Sequence, residues 1–407
     1  MNTNYTPHVD GFDGLDGLDG SNEGPVTILD KYRDHFEKYI LTASDEDYEV
    51  LTLWALHTFL MEINISTPRL LITSPVPGSG KTTLLDHLHR LTANPLLAAN
   101  ATNAALSRAV HASMRTVLLD EADRTLDPKR PGREELIQTI NSGYKRDGYR
   151  LITSERKGNG EEPESLKLST YGPVAMAGNN MLLPEDTMTR IIPITMLPDL
   201  EGVKAETYWD DELEQEAAEL KAEAEQWAAG VLQKKPSRPR IPDDVKGRFK
   251  EIWLPLKQVA AAVNSPSWCQ RVDEFALRHI EETKRDEEEG LRHMPPHRVL
   301  IRHIYELLPE NQPFIPTGKL ISELIRAEPD TWGEGNRIGS KLTPQRLGRM
   351  LGKYKIRPGK LNDIRGYFRQ DFLRSWKAEG LIRKPSEPSE PSKPSSTAKD
   401  EALFKIA

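Results

Sequence analysis

Residues 69–90, RLLITSPVPGSGKTTLLDHLHR, limit the possible folds of this chain more than any other stretch of its sequence. An apolar run predicts a strand, a loop of Gly, Ser and Pro follows it, and a helical pattern begins directly after the loop. The backbone N–H groups of such a loop point at an anion at the start of the helix. The stretch therefore predicts a phosphate-binding loop.

The side chains of this loop have expected parts in binding ATP or a similar nucleoside triphosphate. We expect Lys81 to reach the β- and γ-phosphates and the Thr82 hydroxyl to ligate Mg²⁺. The pattern G-x-x-x-x-G-K-[ST] has Gly where this chain has Pro75. A loop that binds nothing is the alternative. The expected nucleotide-binding residues are Pro77, Gly78, Ser79, Gly80, Lys81, Thr82 and Thr83.

A second acidic motif follows about forty residues later. The apolar run at 116–119, TVLL, predicts a strand that delivers Asp120 and Glu121 at its carboxyl end. We expect Asp120 to hold Mg²⁺ through water and Glu121 to polarise the attacking water. Because Asp-Glu pairs are also common at helix starts, this prediction depends on the strand before the pair and on the loop at Lys81.

Two further polar side chains are candidates for the same chemistry. Asn179 follows the apolar run at 173–177, where an amide can hydrogen-bond the γ-phosphate or the lytic water. An Asn pair that only makes a turn is the alternative. Arg190 stands before the apolar run at 191–195 and can stabilise transition-state charge in a neighbouring subunit. Its alternative is a structural pair with a carboxylate.

These strands predict an α/β fold with a mainly parallel sheet and helices on its faces, as in a P-loop NTPase. Helical patterns at 26–41 and 45–61 precede it, the second with Asp45 or Asp47 placed as a cap. Beyond Pro198 the patterns predict helices at 210–232 and 248–263.

A hairpin is predicted between the acidic motif and Asn179. Residues 149–155 and 165–170 alternate in the strand manner around a Gly-Asn-Gly turn. Arg156 and Lys157 near its tip are candidates for gripping a nucleic-acid backbone, and a surface hairpin with solvated charges is the alternative. Lys145 and Arg146, at the end of the preceding predicted helix, are a candidate pair for a subunit interface.

Composition limits the class of protein. The 407 residues suffice for two or three compact domains, and the net charge of −7 argues against a generally basic nucleic-acid binder. The single cysteine, Cys269, excludes an intrachain disulfide and a multi-cysteine zinc site. The stretch Val50 to Met61 is too short to span a bilayer, so we expect a cytoplasmic protein without a membrane partner.

The positive charge gathers near the carboxyl end. Residues 336–377 hold twelve Lys and Arg against two Asp, and the pattern from His297 to Gln370 predicts a winged-helix domain. Its basic residues are expected to contact DNA phosphates, whereas a protein-contact module is the alternative. The candidates are Arg346, Arg349, Lys353 and Lys355 on or beyond the presumed recognition helix, and Arg357, Lys360, Arg365 and Arg369 on the presumed wing.

Both ends of the chain have low complexity. The Asp/Gly tract at 1–25 predicts a disordered acidic tail, and the Pro/Ser-rich stretch at 384–407 predicts a disordered tail with a short apolar tip at Leu403-Phe404. This tip resembles the motifs by which bacterial replication proteins dock on the sliding clamp, although the leading Gln is absent. Between the tails we expect helices at 26–66, an ATPase core at 67–200, a helical lid at 201–295 and the winged helix at 296–383.

The order of these parts resembles the AAA+ ATPases, especially the superfamily three helicases and initiator helicases of viruses. LTLWALHTFL, LLDEADRTL, NSGYKR, GPVAMAGN with LPEDTMTR, and RFKEIWLPLKQVA are similar to an uncharacterised P-loop family in replication proteins of actinobacterial phages, prophages and mobile elements. The resemblance spans about residues 45–380. It implies the roles given above for Lys81, Thr82, Asp120, Glu121, Asn179 and Arg190.

Three functions are compatible with this sequence. The first is an ATP-driven DNA translocase or helicase that works as a ring, expected to be hexameric, in replication of a phage or mobile element. The second is an initiator or loader in which ATP orders an oligomer on origin DNA without unwinding it. The third is an ATP-gated switch with protein partners and no role on DNA.

Overall fold

The chain forms two compact units with a boundary between Lys284 and Arg285. The computed structural model describes residues 26–99, 102–153, 165–289, 294–334 and 340–382. Both expected tails and the hairpin tip with Arg156 and Lys157 lie outside the described residues.

The first unit is a mixed α/β structure built around one sheet. Its elements are α1 (Ile28–Tyr39), α2 (Glu46–His57), a 3-10 turn (Thr58–Leu60), β1 (Arg69–Thr73), α3 (Lys81–Leu91), β2 (Pro95–Ala98), α4 (Asn103–Ala112), β3 (Thr116–Leu119), α5 (Ala122–Thr125), α6 (Arg133–Ser142), β4 (Tyr149–Thr153), β5 (Ser165–Ser169), β6 (Val174–Ala177), α7 (Glu185–Met188), β7 (Ile191–Thr195), α8 (Asp211–Lys234), α9 (Gly247–Ala262) and α10 (Pro266–Glu288), whose last residues belong to the second unit.

The main sheet is parallel, as the sequence predicts. Its five strands lie in the order β2-β3-β6-β1-β7, with β1 between β6 and β7. In register, Arg69 at the start of β1 is opposite Val174 on one side and Ile191 on the other. All carboxyl ends therefore lie along one edge of the sheet, which we call the carboxyl edge, and all strand starts lie along the opposite amino edge.

Alternating residues of each strand enter two different cores. Leu70 and Ile72 of β1 pack with α1, α2, α8 and α9, whereas Leu71 packs with α4 and α6 on the other face. The same alternation holds along β7, where Ile192 and Ile194 join the first core and Ile191 the second. A sheet buried on both faces requires strands that are apolar throughout, which is why β1, β3, β6 and β7 are so apolar.

The predicted elements are present with small differences at their ends. β3 and β7 have the predicted bounds, and β4 pairs with β5 as an antiparallel hairpin. Of the two predicted caps of α2, Asp45 makes no side-chain cap hydrogen bond, because its backbone is already helical, whereas the Asp47 carboxylate accepts from the Ser44 backbone amide. The Ser44 hydroxyl accepts from the Glu46 amide instead, at 3.3 Å.

The second unit encloses its own apolar core, which includes Leu300, Leu347, Tyr367 and Trp376. β10 lies between β8 and β9 in an antiparallel sheet. Its elements are α11 (Pro296–Leu307), β8 (Phe314–Pro316), α12 (Thr317–Ala327), α13 (Pro329–Trp332), α14 (Pro344–Gly352), β9 (Gly359–Leu361), β10 (Ile364–Phe368) and α15 (Arg369–Ala378).

Local sequence explains the boundaries of these elements. Thr343 caps α14, since its hydroxyl accepts from the Arg346 amide at 3.2 Å, and Pro344 occupies the first helical position. Asn362 and Asp363 both have positive φ, as a two-residue hairpin turn between β9 and β10 requires. Arg369, expected on the wing, instead begins α15.

Across the described ranges, no helix has both the length and the apolar character needed to cross a bilayer.

Candidate functional site

The loop between β1 and α3 is shaped by glycine. Gly78 and Gly80 have φ values of 73° and 76°, which side chains of L-residues rarely adopt. The Ser79 hydroxyl donates to the Val76 carbonyl at 2.6 Å and fixes the turn between them. No side chain caps α3 at Gly80, so the amide N–H groups of its first turn have no capping acceptor there and face the loop.

Lys81 and Asn179 meet through Ser74, the residue that follows β1. The Lys81 ammonium donates to Ser74 Oγ at 2.7 Å, and Ser74 Oγ lies 3.1 Å from Asn179 Oδ1 and 2.6 Å from the Val76 carbonyl oxygen. Ser74 is buried. Ser74 belongs to none of the predicted motifs, and its sequence signal is its position at the carboxyl end of an apolar strand.

Thr82 and Asp120 also meet, although they are distant in sequence. Thr82 Oγ1 donates to Asp120 Oδ2 at 2.9 Å, because the first turn of α3 lies beside the end of β3. Asp120 Oδ1 accepts from the Glu121 amide at 2.8 Å, which orients the carboxylate. The structure thus brings Lys81, Thr82, Asp120 and Asn179 to the carboxyl edge.

The donor set fits a small hard cation. Mg²⁺ usually takes one or two protein oxygens and completes its shell with waters and substrate phosphates, and a hydroxyl and a carboxylate 2.9 Å apart offer such oxygens. In the part of the chain that the structure describes, no group of three or more His, Cys, Asp or Glu could hold a metal. A cation at Thr82 and Asp120 would therefore need oxygens from substrate or water.

Glu121 lies at the entrance of the site. Its backbone is left-handed, with a φ of 46°, and its carboxylate forms an ion pair with Arg124 at 2.8 Å. The two side chains are 50% and 75% exposed, and an ion pair so exposed stabilises a protein by at most about 1 kcal/mol. Glu121 can therefore leave Arg124 at little energetic cost and turn towards a substrate. Arg124 was not among the predicted residues.

The two asparagines after β6 have different parts. Asn180 has a φ of 48° and makes the turn, whereas the Asn179 carboxamide faces Ser74. Gly178 lies so close to α5 that a Cβ on it would be 2.7 Å from the Asp123 amide nitrogen. This close approach brings the start of α5 against the end of β6.

Arg190 lies at the amino edge, away from the other candidates. Its carbonyl accepts from the Arg69 amide at 2.9 Å, at the start of β1, whereas Ser74 and Lys81 follow the end of β1. The length of β1, about 13 Å, separates the two positions. The guanidinium is 15% exposed, bonds the Asp186 carbonyl, and lies 3.6 Å from the Asp186 carboxylate. Within one chain, Arg190 and Lys81 are not brought together.

Lys145 and Arg146 make contacts inside the chain. They lie beyond the end of α6, and Lys145 pairs with Glu251 at 2.6 Å. Arg146 donates to the carbonyls of Met61, Glu62 and Asn64. These contacts anchor the segment after α6 to the α2 and α9 side of the unit.

In the second unit, some of the predicted basic residues surround a groove of about 740 Å³. Arg349, Arg357 and Arg365 line it and are exposed, and within the described residues none of the three pairs with a carboxylate. Gly318, Gly348 and Gly352 also line it, so backbone of α12 and α14 is open to a ligand.

The other predicted basic residues do not line this groove. Lys353 lies 3.3 Å from a ring nitrogen of His297, and Arg369 stacks on Trp376. Lys355 has a positive φ beyond α14, and Lys360 lies on β9. Arg346 is on α14, where its amide is capped by Thr343.

Comparison with known proteins gives little beyond a partial family match. Residues 198–378 match a family described as a protein of unknown function, DUF3631, which is less than half of the chain. No curated protein matches the chain.

Several solved structures show a distant likeness. The apo C-terminal region of NrS-1 is 14% identical with a TM-score of 0.36 and 84% of this chain and 74% of that chain covered. SCCmec type IV Cch, described as an active helicase, is 11% identical with a TM-score of 0.38, and the match covers 86% of this chain and 71% of that chain. JCV helicase bound to a small molecule is 15% identical with a TM-score of 0.27, and the match covers 64% of this chain and 62% of that chain. Likenesses with TM-scores this low carry no functional conclusion for this chain.

Proposed function

We propose that this chain is an ATPase that uses hydrolysis to act on DNA. Two contacts at the carboxyl edge carry the proposal. Lys81 donates to Ser74, which also contacts Asn179, and Thr82 donates to Asp120. A glycine loop at a helix start, one lysine, one hydroxyl and one carboxylate are the groups that a magnesium-bound triphosphate needs.

Each side chain has a role in this proposal. Lys81 leaves Ser74 and binds the β- and γ-phosphates. The Asn179 carboxamide forms a hydrogen bond with the γ-phosphate. Thr82 and Asp120 would hold Mg²⁺, which would supply charge neutralisation for the phosphates. Glu121 turns from Arg124 and orients the attacking water. The glycines of the loop let its backbone N–H groups approach the phosphates.

The second unit is the proposed DNA contact. We assign a winged helix to 296–383, an ATPase core to 67–200 and a helical lid to 201–295. The order of helices, strand and hairpin in the second unit supports the winged helix. Three exposed arginines around one groove supply charge complementary to a phosphate backbone. The full proposal is a ring oligomer, hexameric, that translocates on or unwinds DNA of a phage or mobile element, in the manner of superfamily three helicases.

Hydrolysis and strand displacement by the purified chain test this proposal. We expect ATPase activity that rises with single-stranded DNA and an ATP-dependent displacement of one strand from a forked duplex. Lys81→Ala should abolish both, and Lys234→Ala, an exposed lysine at the end of α8, should not. ATPase activity without displacement on any fork would exclude the helicase, and absence of ATPase activity would exclude the whole proposal.

A second candidate is an initiator or helicase loader, favoured by the separate basic groove of the second unit. Such a protein would protect one specific DNA sequence in a footprint. A translocase instead predicts an ATPase rate that increases with the length of single-stranded DNA. Both measurements use the full chain with ATP.

A further inference from the structure

The groove of the second unit lies between one face of its sheet and one face of a helix. Arg365 and Tyr367 are two residues apart on β10, so both side chains stand on the same face of the sheet. Gly348 and Gly352 are four residues apart on α14 and share one face of that helix. Thr317, the first residue of α12, completes the lining between them. A ligand in the groove would therefore contact the sheet and both helices.

Neither backbone conformation nor packing requires the three glycines that line this groove. None of Gly318, Gly348 and Gly352 has a positive φ. A Cβ on Gly318 or Gly352 would meet nothing within 4 Å, and one on Gly348 would meet only the Tyr367 hydroxyl, at 4.0 Å. Glycine inside a helix destabilises it relative to alanine. The shared effect of the three glycines is to keep the groove open.

The hydrogen-bond donors of the groove are not balanced by carboxylates. Its three arginines are exposed, and no Asp or Glu is among the described residues that line it. Thr317 Oγ1 is buried and has no hydrogen-bond partner in the part of the chain that the structure describes. Burial raises the pKa of Tyr367, although Arg365 lowers it, so the hydroxyl stays protonated at neutral pH and can donate. The groove therefore favours an anion that accepts several hydrogen bonds.

The positive charge of the groove exceeds the negative charge of a phosphate inside a DNA strand. An internal phosphodiester carries one negative charge, whereas a phosphate monoester carries about 1.5 to 2 at pH 7 and has three free oxygens. Guanidinium groups form their strongest hydrogen bonds with such oxygens. Three guanidinium groups around one groove therefore match a strand end better than a phosphate with chain on both sides.

We propose that this groove binds the terminal phosphate monoester of a DNA strand. The binding groups are the three arginines that line it and the hydroxyls of Thr317 and Tyr367. The inference rests on the proposed DNA contact of the second unit, and it adds the two hydroxyls and the class of phosphate. Lys360 is opposite Arg365 on the neighbouring strand β9, so positive charge continues from the groove along the sheet for the next phosphates of the strand.

Oligonucleotides of one sequence test this proposal. They carry a phosphate at the 5′ end, at the 3′ end or at neither, with a fluorophore on an internal base, and each is used single-stranded and as a duplex. With the full chain and no ATP, we expect fluorescence anisotropy to show at least about tenfold tighter binding of one phosphorylated end than of the unphosphorylated DNA. Equal affinities in both forms would overturn the inference and leave the DNA contact in place. Absence of binding to any of this DNA would refute the DNA contact itself.

Two charge variants locate the phosphate. Arg365→Gln should reduce the tenfold preference to less than about threefold, whereas Arg374→Gln, an exposed arginine of α15 outside the groove, should keep it. Lys81→Ala tests whether the loop of the first unit binds the terminal phosphate instead. A preference that is lost in Lys81→Ala and kept in Arg365→Gln would overturn the assignment to the groove.

Filling the groove tests the role of its glycines without a change of charge. Gly348→Leu places a side chain in the open space, and leucine favours a helix more than glycine does, so we expect a melting temperature at or above the wild-type value and no preference for a phosphorylated end. The control is Gly230→Leu on α8, where a Cβ also meets nothing within 4 Å. A folded Gly348→Leu with the wild-type preference would contradict the inference.

The hydroxyl of Tyr367 is tested by Tyr367→Phe, which keeps the buried ring and removes only the oxygen. We expect this variant to lower the preference at least about threefold. The control is Tyr354→Phe in the same unit, whose hydroxyl donates to Glu379 at 3.2 Å and does not line the groove. An equal preference in Tyr367→Phe and the wild type would remove the hydroxyl from the site.

Discussion

At the scale of single residues, the Ser74 hydroxyl links two of the candidate side chains at the carboxyl edge. Ser74 accepts from Lys81 and touches Asn179, so it sets where both side chains wait before a substrate arrives. Among the described residues the Lys81 ammonium contacts this hydroxyl, at 2.7 Å, and pairs with no carboxylate. The free loop is therefore organised before it binds.

We predict that Ser74→Ala lowers the ATP hydrolysis rate by about ten- to a hundredfold, because a misplaced reacting group loses the benefit of orientation. The measurement is steady-state phosphate release at saturating ATP. Ser107→Ala is the control, since the buried Ser107 hydroxyl donates to the Asn103 carbonyl of α4 at 2.8 Å, away from the loop, and the variant should lose less than about threefold. Equal rates for Ser74→Ala and the wild type would contradict the role given to Ser74.

The sequence indicates residues of this site to the extent that a motif or a strand end marks them. Lys81, Thr82, Asp120 and Asn179 each stand at a recognisable pattern, and the structure gathers them at one edge. Ser74 belongs to no motif, because its contacts with Lys81 and Asn179 depend on how the loop and the end of β6 pack at the carboxyl edge. Tertiary packing of this kind is not encoded in any local spacing.

At the scale of elements, two histidines join the helix after the loop to its neighbours. His35 of α1 and His87 of α3 are 2.9 Å apart between Nε2 and Nδ1, and both are buried. His35 Nδ1 lies 3.2 Å from Glu216 of α8, and His87 Nε2 lies 3.1 Å from the Thr207 hydroxyl. A consistent chain has His35 donating to Glu216 and His87 donating to His35, with both rings neutral.

This junction predicts that acid weakens the fold. Burial lowers the pKa of His87 to about 3, with His35 and Arg90 contributing, and burial also lowers the pKa of His35. Between pH 6.5 and 3 the unfolded chain binds more protons than the folded one, so stability present above pH 6.5 is lost as pH falls. We expect His87 alone to contribute about 2 kcal/mol of loss between pH 6.5 and 5.

Urea unfolding at pH 7.5, 6.0 and 5.0 measures this effect. His87→Gln should show a shallower loss of stability with falling pH than the wild type, because the titrating group is gone. His111→Gln, an exposed histidine on α4, should keep the wild-type pH dependence. Parallel curves for His87→Gln and the wild type would contradict the assignment.

The groove of the second unit gives a prediction about salt. Arg349→Glu should weaken binding to DNA of any sequence and reduce the slope of log affinity against log salt by about 1, because one phosphate contact is removed. Arg374→Glu, an exposed arginine of α15 outside the groove, has the same charge change and serves as the control. Fluorescence anisotropy at several salt concentrations measures both, and unchanged affinity for Arg349→Glu would favour a protein-contact module.

Elements with strong periodicity were predictable, and short ones were not. The strands at 116–119 and 191–195 follow from four or five apolar residues with turn signals on each side. The four-residue helices α5, α7 and α13 carry too few residues for a 3.6-residue period. The presumed recognition helix stops at Gly352, so Lys353 and Lys355 lie beyond it rather than on it.

At the scale of the whole molecule, Arg190 predicts how copies cooperate. Arg190→Ala should leave ATP binding intact and lower hydrolysis by about 10³-fold or more, as for an arginine that stabilises transferring phosphate from a neighbour. Mixing with Lys81→Ala should restore part of the rate. The control is Arg108→Ala, which removes an exposed arginine on α4. A mixture without recovery would contradict a role in a neighbouring copy and would favour the structural pair of Arg190 with Asp186 in its own chain.

The polarity of the parallel sheet has a kinetic consequence. The loop follows the end of β1 and Arg190 precedes the start of β7, so on the proposed function a lone copy would carry the two halves of a reaction centre at opposite edges of the sheet. If Arg190 acts on the nucleotide of a neighbour, successive copies would associate head to tail, and such contacts close into a ring or continue as a filament. The hydrolysis rate per molecule should then fall steeply on dilution. The fraction of molecules that bind nucleotide should fall much less, because a single copy binds nucleotide by itself.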